Sequence, residues 1–305
     1  MSTSRSASSE LLAYGALGLP LAFAALPLYV HVPRLYAGLG LSLATVGGVL
    51  LAARLVDAIT DPIIGWSLDR LSGRRRWIAV ALPVLGLGML GLLSPPAGAG
   101  AMWLLALLVL VSLAYSVATI AYNAWGAEVA PTPYLRTRYV ASREVFALLG
   151  VVLAAVLPTL LAAGEAESLG LARLSVLLLP LLLVFGLWTL WRAPVAAATA
   201  ASQQALFAGL AAAFKVRGFA PLLAVFAANG IAAAIPSATV LFFVADVLDA
   251  AELAGLFLVL YFFAAAASLP LWLAVSRRIG KLRAWLAGMV LAVGVFGWAA
   301  TIGSG

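Results

Sequence analysis

The sequence predicts an all-α integral membrane protein with about nine transmembrane helices, on the strength of three observations. First, 65% of its 305 residues are hydrophobic and only 10% are charged, giving a mean hydropathy of +1.13. A soluble chain of this size needs more charge to cover its outside, so lipid is the solvent that fits the composition. Second, the apolar residues gather in runs near the roughly 20 residues that carry a helix across a bilayer. Third, the basic residues sit almost entirely between those runs.

Taken in order, the runs are 11–33, 41–66, 77–95, 101–126, 144–163, 172–191, 220–245, 252–275 and 284–303. The segment MSTSRSASSE ahead of the first run is short and polar. No small-residue cleavage site follows that run, so it reads as a retained helix and not as a signal peptide. Ser94-Pro95-Pro96, Ala130-Pro131-Thr132-Pro133 and Gly164-Glu165 punctuate the connections, as turns require. With loops assigned alternately to two sides, fifteen of the 18 Lys and Arg fall on the side of the N-terminus. The other side holds only Arg34 and Arg173, together with Glu165, Glu167, Asp246, Asp249 and Glu252. The positive-inside rule therefore places the N-terminus in the cytoplasm of a multi-pass cell-membrane protein.

The same residues bound the chemistry. The chain has no cysteine and one histidine, His31, which excludes disulfides and thiolate metal sites and leaves no catalytic triad. An enzyme is not expected. The formal charge of +7 is distributed as loop anchors, so no nucleic-acid partner is expected either. His31 lies near the outer interface, where a structural role is favoured over a proton relay.

Residues 193–219 break the apolar rhythm after six spans with small, polar and basic residues. This suggests a six-helix bundle over 1–192, a cytoplasmic linker over 193–219, and the first three helices of a second bundle over 220–305. A weak internal repeat agrees: Asp61-Pro62, Arg70 and Trp77 recur as Leu269-Pro270, Arg278 and Trp285 at an offset of 208 residues. Repeats of this kind belong to transporter folds whose substrate site lies between the halves. The repeat asks for three more helices, so a C-terminal truncation from twelve is expected over a complete nine-span protein.

Span 2 carries the most informative residues. Arg54, Asp57 and Asp61 are spaced by three and four, which puts them on one helical face. Ionisable groups at membrane depth are costly and are usually paired, turned to a cavity and functional. One arginine leaves one carboxylate unbalanced, and a bound cation or proton completes the charge. Hard oxygen ligands suit Na⁺ or H⁺, and no other metal is expected. The competing reading is an architectural Arg54–Asp57 pair, with Asp61 before Pro62 merely ending or kinking the helix.

Span 2 ends in Gly65-Trp66-Ser67-Leu68-Asp69-Arg70, followed by Gly73-Arg74-Arg75-Arg76-Trp77. Asp69, Arg70, Arg74, Arg75 and Arg76 read equally as a gating loop that latches neighbouring helix ends or as a plain cytoplasmic anchor. In span 4, Tyr115, Thr119 and Tyr122 follow at i, i+4 and i+7, with Ser116 and Asn123 beside them. Aromatic rings and hydroxyls suit a sugar-sized polar solute, although such a stripe also serves helix packing. Arg143 and Glu144 open span 5 as a gate or an interfacial pair. Asn229-Gly230 and Pro236-Ser237 suggest a kinked gating helix in span 7, with Asn229 toward the cavity or simply packed.

These residues resemble the glycoside–pentoside–hexuronide:cation symporter family, the melibiose-carrier-like branch of the major facilitator superfamily. The resemblance rests on Arg54-Leu-Val-Asp57-Ala-Ile-Thr-Asp61-Pro62-Ile-Ile-Gly65-Trp66, the arginine-rich loop ending in Trp77, and Tyr122-Asn-Ala-Trp125-Gly126-Ala-Glu128. The Arg136 to Arg143 segment matches as well. It implies a major-facilitator-like bundle of twelve helices, alternating access, and solute uptake driven by Na⁺ or H⁺. By position it makes Asp57, Asp61 and Ser116 the cation site, Arg54 their charge partner, and Arg143 a sugar-site residue. The family's sugar-binding carboxylates in spans 1 and 4 correspond here to Pro20 or an apolar neighbour and to Thr119. That departure puts galactoside-like recognition in question.

The function expected is cation-coupled symport of a sugar-like or glycoside-like solute, with no cofactor beyond the coupling ion. The expected partners are that solute and the bilayer, and a monomer is expected. A carrier of a lysolipid or other amphiphile is the alternative, since relatives carry lysophospholipids. A truncated, non-transporting remnant is the other.

Overall fold

The computed structural model describes residues 2–71, 73–195, 205–299 and 301–302, without the side chains of residues 2–8, 269, 270 and 273. The Arg5 anchor, part of the 193–219 linker and the Leu269-Pro270 member of the repeat therefore lie outside the described residues or side chains. Packing divides the chain into two compact units, Met1–Ala238 and Thr239–Gly305.

The first unit begins with α1 (Ser2–Ala16), α2 (Gly18–Leu26), a π-helical turn (Pro27–His31) and α3 (Val32–Gly38), which run on as one span. Proline explains the wide turn. Pro27 and Pro33 have no N–H to give, so the ordinary i to i−4 ladder is interrupted there, and the Val32 N–H reaches Pro27 O instead. Next come α4 (Leu43–Arg70), α5 (Arg74–Leu93), α6 (Ala101–Val129), α7 (Pro133–Ala162), α8 (Glu167–Arg192), α9 (Leu206–Lys215) and most of α10 (Phe219–Phe242).

Several boundaries depart from the hydropathy runs, each for a local reason. α4 continues through Pro62 to Arg70, so Asp61-Pro62 neither ends the helix nor removes Asp69 from it. α5 already begins at Arg74, behind Gly73 at φ 102°, so the arginines occupy its first turn and not a loop. α7 starts eleven residues ahead of its apolar run, because the Thr132 hydroxyl accepts from Leu135 N at 3.3 Å and Pro133 sits at the first position. Arg136 and Arg143 thus stand on a helix. The alanine-rich part of the linker folds as α9, which hydropathy alone did not mark.

Within this unit α2 and α1 pack on α7, α1 also meets α8, α5 lies between α6 and α8, and α4 rests on α6. Small residues allow the closest approaches. A side chain at Gly150 of α7 would strike the Leu19 carbonyl of α2, and one at Gly126 of α6 would strike the Tyr14 hydroxyl. The first span is the most enclosed, with 83% of its apolar stretch buried, against 11% for α4. The helix that carries the intramembrane charges therefore keeps most of its surface uncovered within its own unit.

The second unit holds the end of α10, a π-helical turn (Phe243–Val247), a 3₁₀ turn (Ala251–Leu253), α11 (Ala254–Ile279) and α12 (Lys281–Ala299). α11 and α12 form an antiparallel pair about Gly280, at φ 85°, with Trp272 against Gly288. Among the described residues of the whole chain, nine helical stretches are long and apolar enough to cross a membrane.

Candidate functional site

The helical spacing of Arg54, Asp57 and Asp61 is realised on α4, and the packing of α4 on α6 decides what surrounds them. Arg54 Nη1 lies 3.4 Å from Asp57 Oδ2. The arginine is half exposed, whereas the Asp57 side chain is only 13% exposed. The guanidinium also sits 4.4 Å over the ring of Tyr29, which the π-helical turn delivers from the first span. Ser112 of α6 is buried alongside Asp57. Asp57 Oδ1 and Asp61 Oδ1 are both buried and find no hydrogen-bond partner among the described residues. Two carboxylates a turn apart, each with an oxygen that has no partner among the described residues, and an arginine paired to only one of them, can accept a proton or a small hard cation.

The stripe on α6 divides into two parts. Tyr115 faces the tyrosine that lies under Arg54, its ring 6.4 Å from that of Tyr29. Thr119 turns its hydroxyl back to Tyr115 O at 2.8 Å and Ser116 O at 3.2 Å, a common way to satisfy threonine inside a helix. Ser116 lies one turn beyond Ser112, which is the serine set beside Asp57. Tyr122 is buried in packing: its hydroxyl donates to Tyr14 O, Tyr14 donates to Tyr122 O at 3.0 Å, and the rings are 4.6 Å apart. Asn123 accepts from Arg143 of α7, which also holds Glu144 at 2.6 Å. Asn229 is half-buried on α10. The structure thus gathers Arg54, Asp57 and Asp61, sets Tyr115 against Tyr29, joins Asn123 to Arg143, and gives Tyr122 to the α1–α6 contact.

A second cluster closes the basic end of the bundle. Arg74, in the first turn of α5, reaches Asp69 in the last turn of α4 at 3.0 Å and Glu128 in the last turn of α6 at 2.9 Å. Arg75 donates to Ala193 O at 2.9 Å, and Arg70 stacks 4.5 Å over Trp66. Arg76 is exposed. Three helix ends are therefore tied by one arginine.

A family model described as MFS/sugar transport protein matches residues 8–304. The chain belongs to that family. No curated protein matches the sequence.

As an MFS member, the chain is a multi-pass membrane transporter of a small molecule and not an enzyme. The all-α membrane bundle expected from the sequence is the fold of this MFS protein. Its structure adds residues that sequence reading passed over. Tyr29 carried no charge or periodic signal, and its place under Arg54 follows from a π-turn that only the flanking prolines hint at. Ser112 sits one turn from the serine chosen. Glu128 stood in the sequence motif without a role, and is the carboxylate that completes the Arg74 cluster. At the opposite end of the bundle, His31 is 4% exposed and lies 3.3 Å from Glu167, which also meets Arg34 at 3.6 Å. This MFS protein therefore ties the first span to α8 through a charged cluster at that end.

Proposed function

We propose that this MFS protein is a cation-coupled symporter of a sugar-like or glycoside-like solute, of the glycoside–pentoside–hexuronide:cation branch, working by alternating access. The reading rests above all on the Asp57–Asp61 pair, whose two buried oxygens have no hydrogen-bond partner among the described residues while Arg54 balances only one carboxylate. A proton or Na⁺ at that place completes the charge, and solute follows because the occupied site favours a different arrangement of the helices. Asp57 and Asp61 are the cation ligands in this proposal, with Ser112 or Ser116 adding a neutral oxygen and Arg54 setting the charge. Tyr115, Thr119, Asn123, Arg143 and Asn229 are the residues offered to the solute, and Tyr122 holds the wall behind them.

The Asp69, Arg74 and Glu128 cluster is the latch of the state described here. Arg70, Arg75 and Arg76 belong to the same basic end. The proposal also carries the six-helix bundle over 1–192, its connection over 193–219 to the helices of 220–305, a cytoplasmic N-terminus in the cell membrane, and a monomer.

The test is thermal unfolding of the purified protein in detergent, with Na⁺ compared against K⁺ and choline at equal ionic strength. A ligand that binds only the folded state at about 100 times its Kd adds about 2.7 kcal/mol. A Na⁺-specific shift lost in both Asp57→Asn and Asp61→Asn supports Na⁺ coupling. A shift that follows pH alone and is lost in the same variants supports H⁺. No response to any cation or pH sinks the coupled reading. Glycosides and lysophospholipids added in parallel then separate the sugar solute from an amphiphile.

A further inference from the structure

Two consecutive arginines at the start of α5 hold two different things. Arg74 ties α4 and α6 together, as described above. Arg75 turns instead to the chain just after α8, where its Nη2 donates to Ala193 O at 2.9 Å. Its guanidinium lies 5.0 Å over the ring of Trp125 on α6, and the indole N–H of Trp125 donates to Pro194 O at 3.0 Å. Trp125 is 1% exposed and Ala193 is buried with it. The first two residues beyond α8 are therefore held by both of their carbonyls on one buried aromatic platform.

The platform and the latch share their supports. Trp125 and Glu128 are three residues apart on α6, hence on one face, and Arg74 and Arg75 are neighbours on α5. Neither arginine is fully satisfied: Arg74 Nη1 and Arg75 Nε are buried without a hydrogen-bond partner among the described residues. A buried donor left without a partner favours any arrangement that returns it to water. Relative movement of α5 and α6 that parts Arg74 from Glu128 also parts Arg75 from Trp125, because each pair spans the same two helix ends.

We propose that Ala193-Pro194 is a strap, clamped by Arg75 and Trp125 while the Asp69–Arg74–Glu128 latch is closed and released when it opens. Ala193 and Pro194, the first two residues beyond α8, are then held in one conformation of the bundle and freed in the other. This goes beyond solute and ion coupling, and its test needs neither.

The sequence contains no cysteine, so a single nitroxide can be placed at Val195→Cys, next to the clamp and exposed. A second sample carries the label at Tyr134→Cys, exposed at the start of α7. Electron paramagnetic resonance of the full chain in lipid nanodiscs reads the ratio of mobile to immobile label. Trp125→Phe keeps an aromatic ring but removes the indole N–H, while Arg75→Lys keeps the charge and removes the planar fork. Each is expected to raise the mobile ratio at residue 195 about fivefold, the scale of one lost hydrogen bond, and to leave residue 134 unchanged. Glu128→Gln, whose side chain does not hold the strap, is expected to mobilise residue 195 as well. An unchanged line shape at residue 195 in Trp125→Phe and Arg75→Lys overturns the clamp. Mobilisation in those two but not in Glu128→Gln overturns its link to the latch, and equal mobilisation at residues 134 and 195 marks general loosening and overturns both.

Discussion

Two acidic clusters that share α4, one at its middle and one at its end, join arginine to carboxylates and are finished differently. At the end, Asp69 and Glu128 share Arg74, and three helices gain from the sharing. In the middle, Asp57 has an arginine that is half exposed and divided between a carboxylate and a tyrosine ring, and Asp61 Oδ1 is buried with no hydrogen-bond partner among the described residues. What differs is not the charge count, since each cluster sets two carboxylates against one arginine. Both carboxylates at the end hold a partner, which stability favours because a buried carboxylate without one is costly. An unfinished one persists where something outside the chain completes it. The difference separates a latch from a binding place more sharply than the presence of charge does.

Substitutions at the two places should therefore act in opposite ways. The largest effect is expected for Asp57→Asn and Asp61→Asn. Each should abolish the cation-specific thermal shift, about 2.7 kcal/mol at 100 times Kd, while leaving the ion-free unfolding temperature unchanged or higher. A loss of ion-free stability equal to that of the latch variants would erase the distinction. Next in size, Glu128→Gln should lower ion-free stability by about 2 kcal/mol, the scale of a hydrogen bond to a charged group, and keep the cation response. Chemical denaturation with and without Na⁺ reads both quantities in one series.

Smaller effects sharpen the middle cluster. Ser112→Ala should weaken apparent cation affinity about tenfold and Ser116→Ala less, a ranking that direct titration of the thermal shift can reverse. The smallest change is expected at Tyr29: removing the ring in Tyr29→Ala should cost the Arg54 contact about 1 kcal/mol, whereas Tyr29→Phe keeps the ring and should behave as the parent. If Tyr29→Phe is as damaging as Tyr29→Ala, the hydroxyl and not the ring is what matters.

Much of this was legible in the sequence because lipid makes composition and length speak plainly. The spans, the charged face of α4 and the Asp69–arginine segment all follow from apolar runs and from three- and four-residue spacings. What escaped is what depends on contact between helices. Tyr115 and Tyr122 share a stripe and were indistinguishable by spacing, yet one lies near Tyr29 and the other is locked to Tyr14. Ser112 and Ser116 differ by one turn, and the crossing of α4 over α6 selects between them at Asp57. The early start of α7 was hidden because its first three turns are polar, and hydropathy reports only the part that meets lipid.

The wide turn at Pro27–His31 acts as a phase shift in the first span. A turn that holds one residue more than its neighbours advances everything beyond it by about 100° relative to an uninterrupted α-helix. Tyr14 and Phe23 are set on one side of that shift, and Tyr36 and the Arg34 contact to Glu167 on the other. Deleting a single residue there would leave the composition and hydropathy of the span almost unchanged. It would nevertheless turn Val32–Gly38 and the Arg34 contact away from α8, so the spelling of this short segment governs which way a whole helix end looks.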